Sequence, residues 1–224
     1  MYGSYKKSKK SNVDLLLFGE TYLQGFNSLK WIPEKDLPVG IERQSKIINI
    51  LRLCCSEIEM ALGMGYIERA NGKLFSSYLV IDKKGHDIIN YRRISKGWRN
   101  PNSDNEIYRE GNEIYTFDYM GYKMSVGLCG DFWDNDVMQK IPKEKIDIML
   151  WPAFVYYDKN EWTAEEFNSY IDQSRKICKN IVFINSICED EESSVYCGSF
   201  AVINNELIAS TEQGKEDILI VDYK

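Results

Sequence analysis

The stretch VGLCGDFWDND, Val126 to Asp136, carries the reading that decides the fold. An apolar run ends in a cysteine, and a glycine, an aspartate and two bulky aromatics follow. A strand that breaks into a turn at Cys129 is how an α/β fold brings a side chain to the carboxyl end of a sheet. By itself such a cysteine is more often a small packed hydrophobe than a nucleophile. The chain has a single histidine, His86, in a turn-like stretch, so a reactive thiol would need a different activator.

Outward from this stretch, strand and helix patterns alternate. Upstream, NVDLLLFGE (12–20) is a short apolar run ended by a glycine, the mark of a buried strand. The three- and four-residue spacing of Ile47, Ile48, Leu51, Cys54, Cys55, Ile58 and Leu62 predicts an amphipathic helix over 41–62. GYIER (65–69) predicts a short strand, and 74–82 with 87–93 a hairpin turning at Gly85. Residues 95–112 are polar and turn-rich, a loop long enough to be functional or disordered. Strand patterns at 113–119 and 122–129 flank Met120-Gly121. Downstream come a short helix after Trp133, the strand IDIMLWPAF (146–154), a helix over 162–179 with Phe167, Tyr170, Ile171 and Ser174 on one face, and the strand NIVFINS (180–186). A hairpin turning at Asn204-Asn205 and a last strand, DILIVDY (217–223), complete the order. Runs such as LLLF and IVFI need both faces covered, which favours an α/β sandwich with helices outside packed sheets. No repeat or linker interrupts the chain, so residues 1–224 are read as one domain.

Composition narrows the class. The 224 residues are 44% hydrophobic, enough for a full core, with net charge −6 and a pI near 5.1. The basic residues are scattered apart from KKSKK at 6–10, which reads as a solvated helix face. No basic face for nucleic acid is expected, and small neutral or cationic partners fit better than polyanions. No apolar run approaches the ~20 residues of a membrane-spanning helix. The N-terminus lacks a signal-peptide h-region, so a cytoplasmic location is expected. Six cysteines without a C-x-x-C pair, and one histidine, argue against a zinc site. A chain this long does not need a disulfide framework. No metal and no cofactor are expected.

Three polar features end apolar strands: Glu20 after LLLFG, Cys129, and the cations Arg92, Arg93, Lys96 and Arg99. Each alone reads as a solvated or packed residue. Together they make a coherent site. A glutamate can take a proton from a thiol, and a cation lowers the thiol pKa. A cation and the backbone N–H of Gly130 can hold a developing oxyanion. No histidine is required.

With these motifs in place, the chain resembles the nitrilase superfamily, the carbon–nitrogen hydrolases, from about residue 8 onward. DLLLFGETYLQGF resembles the family's strand-plus-glutamate motif, and VGLCGDFW its nucleophile motif. DIMLWPAF, the helix containing Trp162, IVFINS and GSFAVI follow in the family's order. The resemblance implies a four-layer α-β-β-α sandwich that pairs into homodimers or higher homo-oligomers. It implies Cys129 as nucleophile and Glu20 as general base, hydrolysing a small amide through a thioester. Relatives use a lysine to stabilise the tetrahedral intermediate, commonly in Tyr-Arg-Lys. Here the stretch is YRRISKGW, so Arg93 takes the aligned place. Strand alternation puts Arg93 on the face of Tyr91, while Gly97 could let Lys96 swing into the site. Lys96 is expected to be the catalytic cation, with Arg93 as the alternative. Glu106 is the candidate to brace it. The family's first strand is expected to be missing, because the chain starts inside the helix that follows it. Either the chain is short relative to relatives or a partner fills the gap. Cys-Gly-Asp resembles the amidase and carbamoylase branches, which favours an amide over a nitrile. Tyr22, Phe132, Trp133, Trp151 and Phe154 are candidate pocket walls, and each could equally pack in the core. The arginine and the short N-terminus keep open an alternative, a nitrilase-like binding or assembly protein without turnover.

Overall fold

The computed structural model describes residues 13–157, 160–189 and 194–223. The basic run at 6–10 lies outside them. Two compact units divide at Gly111 and Asn112.

The first unit holds β1 (Leu15–Leu17), a one-turn helix α1 (Pro33–Asp36), α2 (Lys46–Ile58), β2 (Ala61–Ala70), β3 (Lys73–Ile81) and β4 (Asp87–Arg92). Its sheet runs β1-β2-β3-β4, with β1 parallel to β2 and the other pairs antiparallel. Ser45 caps α2 by accepting from the Ile48 N–H, and Glu59 at φ 57° ends it. The helix is therefore shorter than the spacing predicts. Leu62 continues the apolar recurrence by coincidence, because the chain has already turned into a ten-residue strand. Ile48, Leu51 and Cys55 of α2 pack on Leu62, Met64, Tyr66, Leu79 and Ile81 of the sheet. Residues 61 to 68 of β2 are buried without a break, the pattern of a strand covered on both faces. The β3–β4 turn has Gly85 at φ 84°, as the hairpin reading expects.

The long polar segment after β4 is ordered. Trp98 and Tyr108 are buried, and Leu74 exchanges backbone hydrogen bonds with the segment on either side of Tyr108. The Tyr108 hydroxyl donates to Asp36 at 2.6 Å, and the same carboxylate accepts from the N–H groups of Lys30, Trp31 and Ile32.

Three carboxylates in this unit are held below their ordinary range, Asp82 by bonds from the His86 and Lys84 N–H groups that outweigh burial, and Glu68 and Asp87 by arginines. Burial alone would raise Glu68, but its bonds from Arg92, Ser77 and Asn90 prevail. Burial is likewise outweighed at Asp87 by Arg52 and Arg43. A depressed folded-state pKa gives stability that is present above the unfolded value, about 4, and is lost as pH falls through the folded value. Urea melts are expected to show stability nearly constant from pH 8 to 6 and falling below about pH 4. A Glu68→Gln chain should show a shallower acid limb.

The second unit holds β5 (Thr116–Tyr119), β6 (Tyr122–Val126), α3 (Asn135–Met138), β7 (Ile148–Ala153), α4 (Ala164–Ile177), β8 (Ile181–Asn185), β9 (Cys188–Glu189), β10 (Ser194–Val195), β11 (Phe200–Ile203) and β12 (Glu206–Ser210). A six-stranded sheet runs β12-β11-β8-β7-β6-β5, parallel only through β6-β7-β8, and β9 pairs with β10. Met120-Gly121 and Asn204-Asn205 all have positive φ, as tight hairpin turns demand. Thr163 caps α4, which buries Tyr170 and Ile171 against Trp151, Phe183 and Phe200. The expected strand at 217–223 is absent. That segment makes no ladder, and Tyr223 instead packs edge-on against Tyr122 while exchanging hydrogen bonds with Asn180 and Asp147. No helix among the described residues is long and apolar enough to cross a membrane.

Candidate active site

Glu20 follows β1 on a segment that crosses β2. Phe18 donates its N–H to Gly63, Gly65 donates to Gly19, and Leu23 donates to Gly65. A side chain at Gly65 would sit 2.6 Å from both the Glu20 Cα and the Gly19 oxygen. Only glycine permits this crossing. Gly65→Ala is expected to cost about 3 kcal/mol or more, since backbone rather than a movable side chain must yield. A thermal melt checks this.

The Glu20 carboxylate is fully buried. Arg93 Nη1 donates to its two oxygens at 3.0 and 3.2 Å, and Ser76 Oγ donates at 2.7 Å. Arg93 lies one residue past β4 and is itself 5% exposed. Its N–H donates to Ser76, its carbonyl accepts from Gly111, and its Nε donates to Ser95 Oγ. A side chain at Gly97 would lie 3.4 Å from the guanidinium. The arginine thus fills the space beneath the turn Lys96–Trp98, and Lys96 on that turn is exposed. The cation brought to the glutamate is Arg93 and not Lys96, contrary to the expectation. Glu106 is not brought there either: its carboxylate is exposed and lies 3.8 Å from Arg109. A different carboxylate on the same segment, Glu110, is more buried and pairs with Arg99 at 2.5 Å.

Cys129 lies in the second unit, three residues past β6 and at the start of the turn Cys129–Trp133. Its φ is 42°, the left-handed region, which costs a non-glycine residue about 1–2 kcal/mol. Surrounding bonds hold it there. The Asp131 carboxylate accepts from the Leu128 N–H at 2.8 Å, and the Asp131 N–H donates to the Leu128 carbonyl. The Trp151 indole donates to the Cys129 carbonyl at 2.9 Å. The half-buried thiol lies 4.0 Å from the Phe154 carbonyl oxygen. Gly127 lets the turn close, since a side chain there would come within 2.7 and 2.8 Å of the Phe132 ring. Asp131 and Gly127 shape the turn at Cys129, and neither was among the candidate site residues. The short side chain in Cys-Gly-Asp closes the turn.

The aromatics divide. Phe132 and Trp151 have no accessible surface and belong to the core, so neither can wall a pocket. Both shape the cysteine turn instead. Phe154 is 6% exposed, Trp133 46% and Tyr22 38%. Trp133 packs edge-on against Tyr170, and Tyr22 stacks on Phe18 at 4.2 Å. Gly130 lies directly after the thiol on its turn. Among the other cysteines, burial pushes the Cys178 and Cys197 thiols up. No group of three or more potential metal ligands occurs among the described residues.

The sequence profile of the family described as carbon-nitrogen hydrolase matches residues 4–224. A glutamine-dependent NAD(+) synthetase from Acinetobacter baylyi is 18% identical over 201 residues, covering 89% of this chain and 36% of its own length. The chain spans less than half the length of the curated relatives it matches, 36% to 46%. A carbon-nitrogen hydrolase structure from Helicobacter pylori G27 superposes with TM-score 0.77 at 14% identity, covering 96% of this chain and 82% of that one. An amidase from Nesterenkonia sp. AN1, with acrylamide added at its active-site cysteine, superposes with TM-score 0.75 at 12% identity, covering 95% and 82%. At such identities the likeness shows the fold, an α/β fold of the nitrilase kind.

Proposed function

Since the chain belongs to the carbon–nitrogen hydrolase family, we propose that it hydrolyses a small non-peptide amide with Cys129 as nucleophile, Glu20 as general base and Arg93 as the cation. The observation that carries this is the strained left-handed turn at Cys129. Strain of this kind persists only where the surroundings over-determine it, and it clusters at reactive residues. The buried Glu20 with a guanidinium on its carboxylate supports the same reading.

In this reading the Cys129 thiol gives its proton to Glu20, and sulfur attacks the amide carbonyl. The oxyanion is held by the Gly130 N–H and by a cation. The tetrahedral intermediate collapses with loss of ammonia or an amine, protonated by Glu20. Water, deprotonated by Glu20, then hydrolyses the thioester and releases the thiol. Arginine can hold the oxyanion but stays charged, so it relays no proton and Glu20 must carry both transfers. Trp133 and Tyr22 are the exposed candidate aromatics left to meet substrate, with the nearly buried Phe154 beside the thiol. A cytoplasmic homo-oligomer is part of the proposal. The arginine also favours a second reading, a binding or assembly protein of the same fold without turnover.

The test is ammonia release from a panel of small aliphatic and aromatic amides, with the matching nitriles alongside. Turnover of amides above nitriles supports the proposal. Tight binding of an amide with no ammonia released would favour the second reading.

A further inference from the structure

Arg92, the last residue of β4, and Arg93, the residue after it, point to opposite faces of the sheet, and each lands on a buried carboxylate. Arg93 reaches Glu20 on one face. On the other, Arg92 donates to Glu68 of β2 through two parallel bonds, Nε to Oε2 and Nη2 to Oε1, both 2.8 Å. The serines between them divide the same way: Ser76 donates to Glu20, and its neighbour Ser77 donates to Glu68, each at 2.7 Å. Asn90 Nδ2 also donates to Glu68 at 3.0 Å, and Asn90 Oδ1 accepts from the Tyr66 hydroxyl at 2.8 Å. The Arg92 guanidinium lies 3.9 Å over the Phe75 ring. Glu68 is only 2% exposed.

We propose that Glu68 and Arg92 form a positioning pair that fixes where Arg93 meets Glu20. The inference rests on the reading above that Arg93 and Glu20 serve Cys129. β4 is the edge strand of its sheet, and its ladder ends at Arg92 paired with Ser77. Beyond that point single backbone bonds to Ser76 and Gly111 hold Arg93. The Arg92–Glu68 bond spans β3 and ties the strand end to β2, the strand that the Glu20 segment crosses. A one-peptide offset then sets the root of the Arg93 side chain. Burying an ion pair is a poor way to add stability, since desolvation offsets most of the attraction. A two-pronged fork stacked on a ring is a good way to set geometry.

The variants are Arg92→Lys, which keeps the charge but loses the fork, and Glu68→Gln. The readouts are kcat and KM for ammonia release, and the rate of Cys129 alkylation by iodoacetamide across pH. A positioning pair predicts that kcat and the alkylation rate at pH 7 fall about tenfold while KM holds, and that neither variant has a further effect in an Arg93→Met background. If both variants merely lower the unfolding temperature, with alkylation per folded site and its pH midpoint unchanged, the inference is overturned. Arg92 is partly exposed, so Arg92→Lys decides the matter should Glu68→Gln fail to fold. Glu20→Gln and Arg93→Met separate the two levels. If these leave the Cys129 profile unmoved, the functional reading falls and this inference with it. If they shift the profile and the outer pair does not, this inference alone falls.

Discussion

Replacing Cys129 by alanine is expected to lower ammonia release by at least about 10⁴-fold, to the level of the uncatalysed blank. The size follows from the role. Without sulfur there is no thioester, and the remaining groups can only orient water against an unactivated amide. The fold should survive the change. The half-buried thiol lies a long 4.0 Å from the Phe154 carbonyl, and the bonds that shape the turn come from the Leu128 N–H and the Cys129 carbonyl, which alanine retains. The left-handed φ is equally strained for both residues, so the unfolding temperature should stay within a few degrees. An active Cys129→Ala protein would assign the chemistry elsewhere.

Glu20→Gln is expected to act on two measurements at once. Turnover should fall about 10²–10⁴-fold, because the amide can neither take the thiol proton nor deliver one to the leaving group. Stability should fall by about 3–5 kcal/mol, because the buried Arg93 guanidinium loses the charge of the carboxylate it bonds. The glutamine can still accept from Ser76, which keeps the loss toward the lower end. Arg93→Met in the same background should recover much of the stability and none of the activity, since it removes the buried charge that the Glu20 carboxylate offset. Urea melts and ammonia release on the four proteins of this cycle give both numbers.

Strand ends were the legible part of this chain. Leu15–Leu17 running into Gly19-Glu20, and Val126 into Cys129, each mark an apolar run stopping at a polar residue, and both landed where the pattern puts them. Alternation from Tyr91 also put Arg93 on the correct face. The choice of Lys96 over it came from the chemistry that relatives prefer; Arg93 is the cation that meets the Glu20 carboxylate, and Lys96 is exposed. Phe132 and Trp151 were not legible as core, because an aromatic after a cysteine looks the same whether it meets substrate or packs beneath the turn. The helix end at Ile58 was hidden by Leu62, which keeps the helical spacing from within a strand. Residues 217–223 have strand composition but no ladder neighbour, and composition cannot supply one. The role of Asp131 could have been suspected from its place two residues past a cysteine in a sharp turn, where a short carboxylate reaches back to the preceding backbone.

The most direct measurement is selective alkylation of the native protein with sub-stoichiometric iodoacetamide near pH 7, followed by peptide mapping of the adduct. Six thiols compete. Cys55 and Cys197 are buried, and burial pushes Cys178 up as well, so Cys54 and Cys188 are the accessible rivals. The account predicts that the adduct sits on Cys129 ahead of both, and that Glu20→Gln slows its formation. Labelling spread over Cys54 and Cys188 with Cys129 unmodified would contradict it.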